Sequence, residues 1–245
     1  MQNYRLTIEY DGTAYHGWQR QKDDLTIQGE IEKALAVMTR QKIVVHGSGR
    51  TDAGVHALAQ TAHFKSDAGL SAEAFQMGLN SLLKNDIVIK ACQVAADTFH
   101  ARYDARGKIY QYHILNHKIP SAISRNRVWH IRKQLNFYAM QRAAVHLVGA
   151  HDFKAFEGTG SPRSSTVRRV TMAEISRESA ENITFTIEAN GFLRYMVRNI
   201  VGTLVEVGQS KMAPERFKAV LESGDRGQAG ATAPPQGLFL VKVLY

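Results

Sequence analysis

Residues 4–10 read YRLTIEY, and this stretch sets the fold because its side chains alternate strictly. Tyr4, Leu6, Ile8 and Tyr10 are apolar or aromatic, and the three residues between them are polar or charged. A period of two residues is that of a β-strand with one buried face. We therefore predict a first strand here and expect helices to cover its buried face.

The residues that follow predict two helices and three more strands. One helix begins after Thr26 and another after Ser71, which are N-cap residues followed by apolar side chains at helical spacing, the second running through Phe75, Leu79 and Leu82. Strands are predicted at residues 42–46, 57–65 and 87–89. The resulting order, β-α-β-β-α-β, is that of a ferredoxin-like, or split βαβ, unit.

The rest of the chain predicts the same order with insertions. Its predicted elements are a strand at 108–115, a helix after Asn136, a hairpin of strands at 166–176 and 183–189, a helix through Met196, Ile200 and Leu204, a short helix from Pro214 and a strand at 238–244. We predict an α+β fold of two tandem ferredoxin-like or RRM-like subdomains, residues 1–103 and 104–245. Joined edge to edge, they would form one broad, mostly antiparallel sheet with helices on one face and a basic cleft.

Composition narrows the class of protein. The chain has 245 residues, of which 44% are hydrophobic, enough apolar surface to fold and too much for a disordered chain. The single cysteine, Cys92, excludes an intramolecular disulfide and is interpreted as a small buried residue. The N-terminal residues lack the pattern of a signal peptide, and no apolar run is long enough to span a bilayer. We expect a cytoplasmic protein that does not bind membranes.

Positive charge is concentrated in the second part of the sequence. Residues 1–100 hold 10 basic and 11 acidic side chains, whereas residues 101–245 hold 21 and 11. A localised positive field indicates a polyanionic partner, most often nucleic acid, although a merely solvated surface gives the same count.

A glycine-rich segment, residues 47–56 with the sequence GSGRTDAGVH, connects two predicted strands. Its glycines permit close backbone approach, and Arg50 and Asp52 present opposite charges beside it. A simple hairpin turn between two strands needs fewer residues than this segment has. An exposed ion pair such as Arg50 with Asp52 adds only ~0–1 kcal/mol of stability, so stability alone does not explain the pair. The segment lacks the Gly-Lys-Ser/Thr of a phosphate-binding P-loop, so we interpret it as a different kind of ligand-binding loop.

Short motifs along nearly the whole chain resemble those of the tRNA pseudouridine synthases of the TruA type. The motifs are YDGT at 10–13, GWQ at 17–19, TIQG at 26–29, GRTDAGVH at 49–56, KIYQY at 108–112, FLRYMVRNI at 192–200 and PQGL at 235–238. The resemblance implies that Asp52 is the essential carboxylate, that Tyr110 contacts the target uracil and that Arg198 pairs with the carboxylate. It also implies that Arg50 holds the target nucleotide out of the base stack, and that Leu238 contacts the substrate.

RNA contacts are expected from basic and aromatic residues. The resemblance assigns such contacts to the segment of Phe99, His100, Arg102 and Tyr103, and the basic, aromatic stretch 102–133 adds Lys118. A second basic patch comprises Arg163, Arg168 and Arg169. Arg194 lies four residues before Arg198 and is expected on the same helix face.

The implied reaction breaks the N1–C1′ bond of uridine, turns the base and rejoins it through C5, with loss of the C5 proton. No redox step occurs, so we expect no cofactor and no metal. The resemblance implies a homodimer that acts at positions 38, 39 and 40 of the tRNA anticodon arm, on a flipped-out uridine. Asp52 would act either as a nucleophile or as a base.

Two other functions are compatible with a basic α+β protein. A non-catalytic protein of two RRM-like units would carry the Lys/Arg-Gly-Phe/Tyr-Gly/Ala-Phe-Val signature, which Arg106–Tyr110 matches only loosely. A metal-dependent nuclease would need clustered carboxylates, but Asp11, Asp52 and Asp104 are scattered over three segments. The isomerase is favoured over both.

Overall fold

The computed structural model describes residues 1–160 and 164–245. The chain forms two compact units, one of Met1–Arg106 with Phe239–Tyr245 and the other of Gly107–Leu238. Both contain helices and mostly antiparallel strands, which confirms the α+β class. The expected domain boundary between residues 103 and 104 stays a prediction, and residues 239–245 group with the first unit rather than with residues 107–238.

The first unit follows the predicted order β-α-β-β-α-β. Its elements are β1 (Gln2–Tyr10), α1 (Ile27–Thr39), β2 (His46–Gly47), β3 (His56–Ser66), α2 (Ala72–Leu82) and β4 (Ile87–Ala95). β1 pairs antiparallel with both β3 and β4, and β2 pairs antiparallel with β3. The alternation that opened the sequence is confirmed, because Leu6 and Ile8 are fully buried.

The second unit follows that order with insertions up to its last helices, but the strand expected to close it groups with the first unit. Its elements are β5 (Gly107–Leu115), β6 (Trp129–His130), α3 (Phe137–Ala144), β7 (Gly149–Asp152), β8 (Val167–Arg177), β9 (Asn182–Ala189), α4 (Met196–Gly208) and α5 (Pro214–Ser223). Antiparallel pairing gives the strand order β5-β9-β8-β7, and the short β6 pairs parallel with β5. The last strand, β10 (Leu238–Leu244), pairs parallel with β3 at Phe239 and Leu240.

Side-chain capping explains where three helices begin. The hydroxyl oxygens of Thr26 and Ser71 accept hydrogen bonds from backbone N–H groups three residues ahead, and the Asn136 side chain does the same for α3. These bonds satisfy donors that the first helical turn leaves unpaired. The predicted caps Thr26 and Ser71 are confirmed, and the helix predicted after Asn136 begins there, with Asn136 as its cap.

The predicted strand at 42–46 is mostly wrong, since only His46 enters a strand there. The polar groups of Val45 are instead bonded to side chains of α1: its N–H donates to Glu32 (3.0 Å) and its carbonyl accepts from Gln28 (2.9 Å). Those side chains replace a partner strand. Leu82, expected on the buried stripe of α2, is 47% exposed.

Two other expectations concern the chain as a whole. Cys92 is buried, as predicted, and burial raises the pKa of its thiol to about 11. Within the ranges 1–160 and 164–245, the helices are too short or too polar for any of them to cross a bilayer.

Candidate active site

The glycine-rich loop between β2 and β3 carries Asp52 and is fixed through its backbone. The backbone N–H of Trp18 donates to the Thr51 carbonyl (3.1 Å), and the backbone N–H of Gly54 donates to the Tyr15 carbonyl (3.3 Å). Within the loop, Val55 donates to the carbonyl of Asp52 (3.2 Å). The Asp52 side chain is half-buried at the tip of this turn. The backbone bonds therefore fix the loop segment that carries the Asp52 side chain.

Two glycines of the preceding segment let the chain approach this loop. A Cβ atom at Gly12 would overlap the Val55 carbonyl oxygen, and one at Gly17, whose φ is +89°, would lie 2.6 Å from the Thr51 carbonyl oxygen. The Tyr10 hydroxyl shares a buried hydrogen bond of 2.8 Å with the Thr51 hydroxyl. Burial raises the pKa of Tyr10, so this hydroxyl stays protonated. The motifs at 10–13 and 17–19 thus form the wall against which the Asp52 loop packs.

Arg50 lies on the same loop as Asp52 and is exposed. Its Nε donates to Gln19 Oε1 (3.0 Å), which ties the guanidinium to the segment that also holds Thr51. Sequence reasoning missed Gln60, which is fully buried and donates to the Gly49 carbonyl (3.1 Å). From the sequence alone, a glutamine on a predicted strand that anchors a loop cannot be told apart from one that only packs in the sheet.

Arg198 lies on α4 in the second unit and is half-buried. Its Nε donates to the Ala233 carbonyl (2.8 Å), and Ala233 donates its own N–H to the Arg198 carbonyl (3.1 Å). The guanidinium carbon lies 5.0 Å from the centre of the Tyr195 ring. Arg198 is therefore anchored before any substrate binds.

The prediction that Arg194 shares a helix face with Arg198 is wrong. α4 begins at Met196, and Arg194 lies in the turn before it. Its guanidinium donates to the Thr159 carbonyl (2.8 Å) and to the Tyr195 hydroxyl (3.1 Å). The left-handed conformation of Tyr195 (φ 60°) breaks the helical path, which the apolar periodicity of the sequence does not reveal.

Tyr110 is 8% exposed on β5 and meets Phe192 edge to face, with 4.9 Å between ring centres. Its neighbour Tyr112 is fully buried and donates its hydroxyl to the Pro234 carbonyl (2.7 Å). Burial raises the pKa of Tyr112, although the charge of Arg198 acts in the opposite direction. Leu238 is buried at the start of β10.

The residues predicted to contact RNA fall into separate places. In the first unit, His100 stacks on Tyr103 (4.2 Å between ring centres), and the guanidinium of Arg102 lies 5.8 Å from that same phenol ring. Phe99 packs instead against Tyr245. In the second unit Lys118 is exposed. Arg163 lies outside the described residues.

The structure thus groups Arg50 with Asp52 in the first unit, and Arg194 with Arg198 in the second. Asp52 belongs to one unit and Tyr110 and Arg198 belong to the other, so the pairing of Asp52 with Arg198 stays a prediction. Each of these three side chains has interaction partners. Over the part of the chain that the structure describes, no group of three or more His, Cys, Asp or Glu residues is placed to hold a metal ion.

Comparison with known proteins identifies the family. The family model described as tRNA pseudouridine synthase matches residues 6–104 and 143–245. The protein named tRNA pseudouridine synthase A in Acetivibrio thermocellus is 47% identical over 245 residues, and the match covers all of both chains. Relatives from Thermoanaerobacter pseudethanolicus and Clostridium perfringens are 47% and 46% identical, again with all of both chains covered.

The matched residues include the Asp52 loop and α4 with Arg198, the two best-anchored charged sites described above. The chain therefore belongs to the tRNA pseudouridine synthase family and is an isomerase that acts on uridine in tRNA.

Proposed function

We propose that the protein converts uridine to pseudouridine at positions 38, 39 and 40 of the tRNA anticodon arm, with Asp52 as the essential carboxylate. The observation that carries the proposal is the rigid presentation of a half-buried carboxylate on a glycine-rich loop. A group that reacts must be held in place before the substrate arrives, because reorganisation during the reaction raises the barrier.

The reaction needs a carboxylate that is ionised at working pH. A guanidinium beside a carboxylate favours its charged form, which is the role we propose for Arg198. Asp52 then acts on the nucleotide as a nucleophile or as a base, the N1–C1′ bond breaks, and the turned base rejoins C1′ through C5. Tyr110, buried on β5, would stack on the uracil and relay the C5 proton, and Leu238 would contact the base.

Substrate binding requires a uridine that is out of its stack. Extrusion costs a few kcal/mol, which stacking on aromatic rings and contacts with cations offset. We propose that Arg50 holds the extruded nucleotide and that the RNA backbone lies against Phe99, His100, Arg102, Tyr103, Lys118, Arg163 and Arg194. A homodimer, expected from the family resemblance, and a cytoplasmic location, expected from the single cysteine and the N-terminal sequence, stay predictions.

The proposal is tested by tritium release from tRNA labelled at C5 of uridine, without added metal or nucleotide. Asp52→Asn should abolish release, while the matched control Asp23→Asn, at an exposed acid in the segment 20–25, should retain it. Release by Asp52→Asn at the wild-type rate would overturn the role of Asp52. Intact label with retained tRNA binding by the wild-type protein would favour the non-catalytic RRM-like hypothesis.

The position of modification needs its own substrate. Three tRNA variants are needed, in each of which only one of positions 38, 39 and 40 is uridine. All three should yield pseudouridine at that position, detected by mass spectrometry of the digested RNA. A tRNA without uridine at all three positions should yield none. Pseudouridine in that last tRNA would show that the site lies elsewhere.

A further inference from the structure

Tyr195 is held in a backbone conformation that bulky residues rarely adopt. Its φ and ψ are 60° and 0°, in the left-handed region, at the residue that precedes α4. A side chain with Cβ is strained there, so the conformation persists only where surrounding contacts hold it. Such strain concentrates at functional sites, so the contacts of the Tyr195 ring indicate what the conformation serves.

Two guanidinium groups lie against the Tyr195 ring. The guanidinium carbon of Arg194 is 4.7 Å from the ring centre and that of Arg198 is 5.0 Å away. Both distances are within the range of a cation–π interaction. The Tyr195 hydroxyl also accepts a hydrogen bond from Arg194 (3.1 Å), so the phenol is engaged at its face and at its tip.

The neighbouring segment is shaped around this ring. A Cβ atom at Gly158 would overlap the Tyr195 ring, and Gly158 donates its N–H to the Arg194 carbonyl (2.8 Å). The next residue, Thr159, accepts from the Arg194 guanidinium through its carbonyl. The close fit leaves the ring little room to turn away from Arg198.

Arg198 is therefore held at two places, by the Ala233 carbonyl at Nε and by the aromatic ring. A guanidinium is planar, so a hydrogen bond and a ring contact together restrict both its position and its rotation.

We propose that Tyr195 is a positioning residue of the isomerisation, whose ring holds the Arg198 guanidinium in the orientation needed beside the reacting carboxylate. The inference rests on the role of Arg198 given under Proposed function. Tyr195 would therefore affect the rate of the chemical step and not the affinity for tRNA, which depends on other residues.

The test measures single-turnover rate at saturating enzyme, together with the dissociation constant for tRNA. Tyr195→Leu removes the ring, and Tyr195→Asn removes it with a residue that tolerates the left-handed conformation. Each should lower the rate about fivefold to thirtyfold, as expected for a partly buried cation–π contact, and should change tRNA affinity less than about threefold. Tyr195→Phe keeps the ring and should stay within about twofold of the wild-type rate. Tyr138→Leu, at a 75% exposed tyrosine on α3, is the matched control.

Three outcomes would contradict the inference: a wild-type rate in both Tyr195→Leu and Tyr195→Asn, equal losses of rate and affinity, or the same loss in Tyr195→Phe. Tyr195→Asn keeps the test valid if Tyr195→Leu does not fold. An Arg198→Met variant separates this inference from the proposed function. A wild-type rate in Arg198→Met would remove the role of Arg198 itself, whereas a slow Arg198→Met beside an unaffected Tyr195→Leu would remove only the role of Tyr195. In the Arg198→Met background, Tyr195→Leu should cause no further loss.

Discussion

The loop that carries Asp52 and the helix that carries Arg198 hold their charged residues by different means. The Asp52 loop is bound through backbone groups, with Trp18 and Tyr15 as partners. Arg198 has the same kind of backbone bond, with Ala233, but its guanidinium is also held directly: Nε donates to the Ala233 carbonyl, and the Tyr195 ring lies against the group. In a loop held by backbone bonds, most side-chain substitutions should cost little stability. A Cβ atom added at a glycine where two backbones touch should cost much more.

The helix region adds a buried polar network to its side-chain contacts. Asn199, next to Arg198 in sequence and 1% exposed, donates to the Phe156 carbonyl (2.8 Å) and accepts from Arg226 (3.1 Å) and from Thr232. One side chain thus joins three separate segments of the second unit. Loss of Asn199 leaves the buried Phe156 carbonyl without this partner and removes an acceptor from Arg226 and Thr232, which costs more than the loss of one exposed bond.

The largest effect is expected from an added methyl group where backbones touch. In Gly12→Ala the Cβ would overlap the Val55 carbonyl oxygen, and in Gly202→Ala it would overlap the Ala231 carbonyl oxygen. Overpacking of this kind costs about 3 kcal/mol. For Gly202, the gain of about 1 kcal/mol in helix propensity from alanine is too small to offset it. Both variants should lower the midpoint of urea unfolding, and Gly12→Ala should also stop tritium release.

Gly191→Ala is the control, because its Cβ would lie 3.5 Å from the nearest atom, in ordinary contact. Its unfolding midpoint should match that of the wild-type protein. If Gly12→Ala were as stable and active as Gly191→Ala, the Asp52 loop would not depend on close backbone approach.

Asn199→Ala should have the next largest effect. Removal of this amide leaves the Phe156 carbonyl unpaired and takes an acceptor from Arg226 and Thr232, so we expect a loss of about 2 kcal/mol. Urea unfolding with an unchanged m-value measures it. Asn182→Ala, at the exposed first residue of β9, should change stability by less than about 0.5 kcal/mol. Equal effects in the two variants would mean that the network adds nothing to the helix region.

The sequence predicted those parts of the fold that depend on local chemistry. Helix starts at Thr26, Ser71 and Asn136 follow from one side chain and the N–H groups beside it, so they were found. The strand at 42–46 failed because the partners of Val45 come from α1, which no local pattern reveals.

The candidate site divides in the same way. Asp52 and Arg198 are proposed from motifs that resemble a known family, supported by residue type, and their roles stay predictions. The left-handed Tyr195 and the anchor Gln60 were not found, because their roles arise from contacts between segments distant in sequence. The placement of Arg194 was wrong because it rested on the spacing of four residues from Arg198, whereas the left-handed Tyr195 makes the helix begin only at Met196.

Acid should weaken the first unit through His63. Burial lowers its pKa to about 4, helped by the nearby His100, His46 and Lys65, and its Nδ1 accepts a hydrogen bond from Ala101 (3.2 Å), which only the unprotonated nitrogen can do. The unfolded chain, with a histidine pKa near 6.5, binds the proton more readily. This contribution to stability is complete above pH 6.5 and is lost as the pH falls toward 4, by about 1 kcal/mol at pH 5.5.

Urea unfolding between pH 7.5 and 5.5 measures this loss. His63→Gln, whose side chain can still accept from Ala101 and does not titrate, should show a flatter dependence than the wild-type protein. Gln141→Ala, in the second unit, should keep the wild-type slope. A wild-type slope in His63→Gln would show that another group causes the acid sensitivity.

The smallest effect is expected from Thr51→Val, and it sharpens the comparison between the two regions. Valine has the shape of threonine but removes the hydroxyl that bonds Tyr10, next to Asp52 itself. Gln60 is a second partner for the Tyr10 hydroxyl, so the loss should be only about 0.5–1 kcal/mol. Since backbone bonds hold the loop, turnover should fall less than about threefold. Tyr10→Phe also removes the contact with Gln60 and should cost more, and the double variant should cost little more than Tyr10→Phe, because that variant already lacks the bond to Thr51. A loss in Thr51→Val as large as that in Asn199→Ala would mean that side chains, and not the backbone, hold the Asp52 loop.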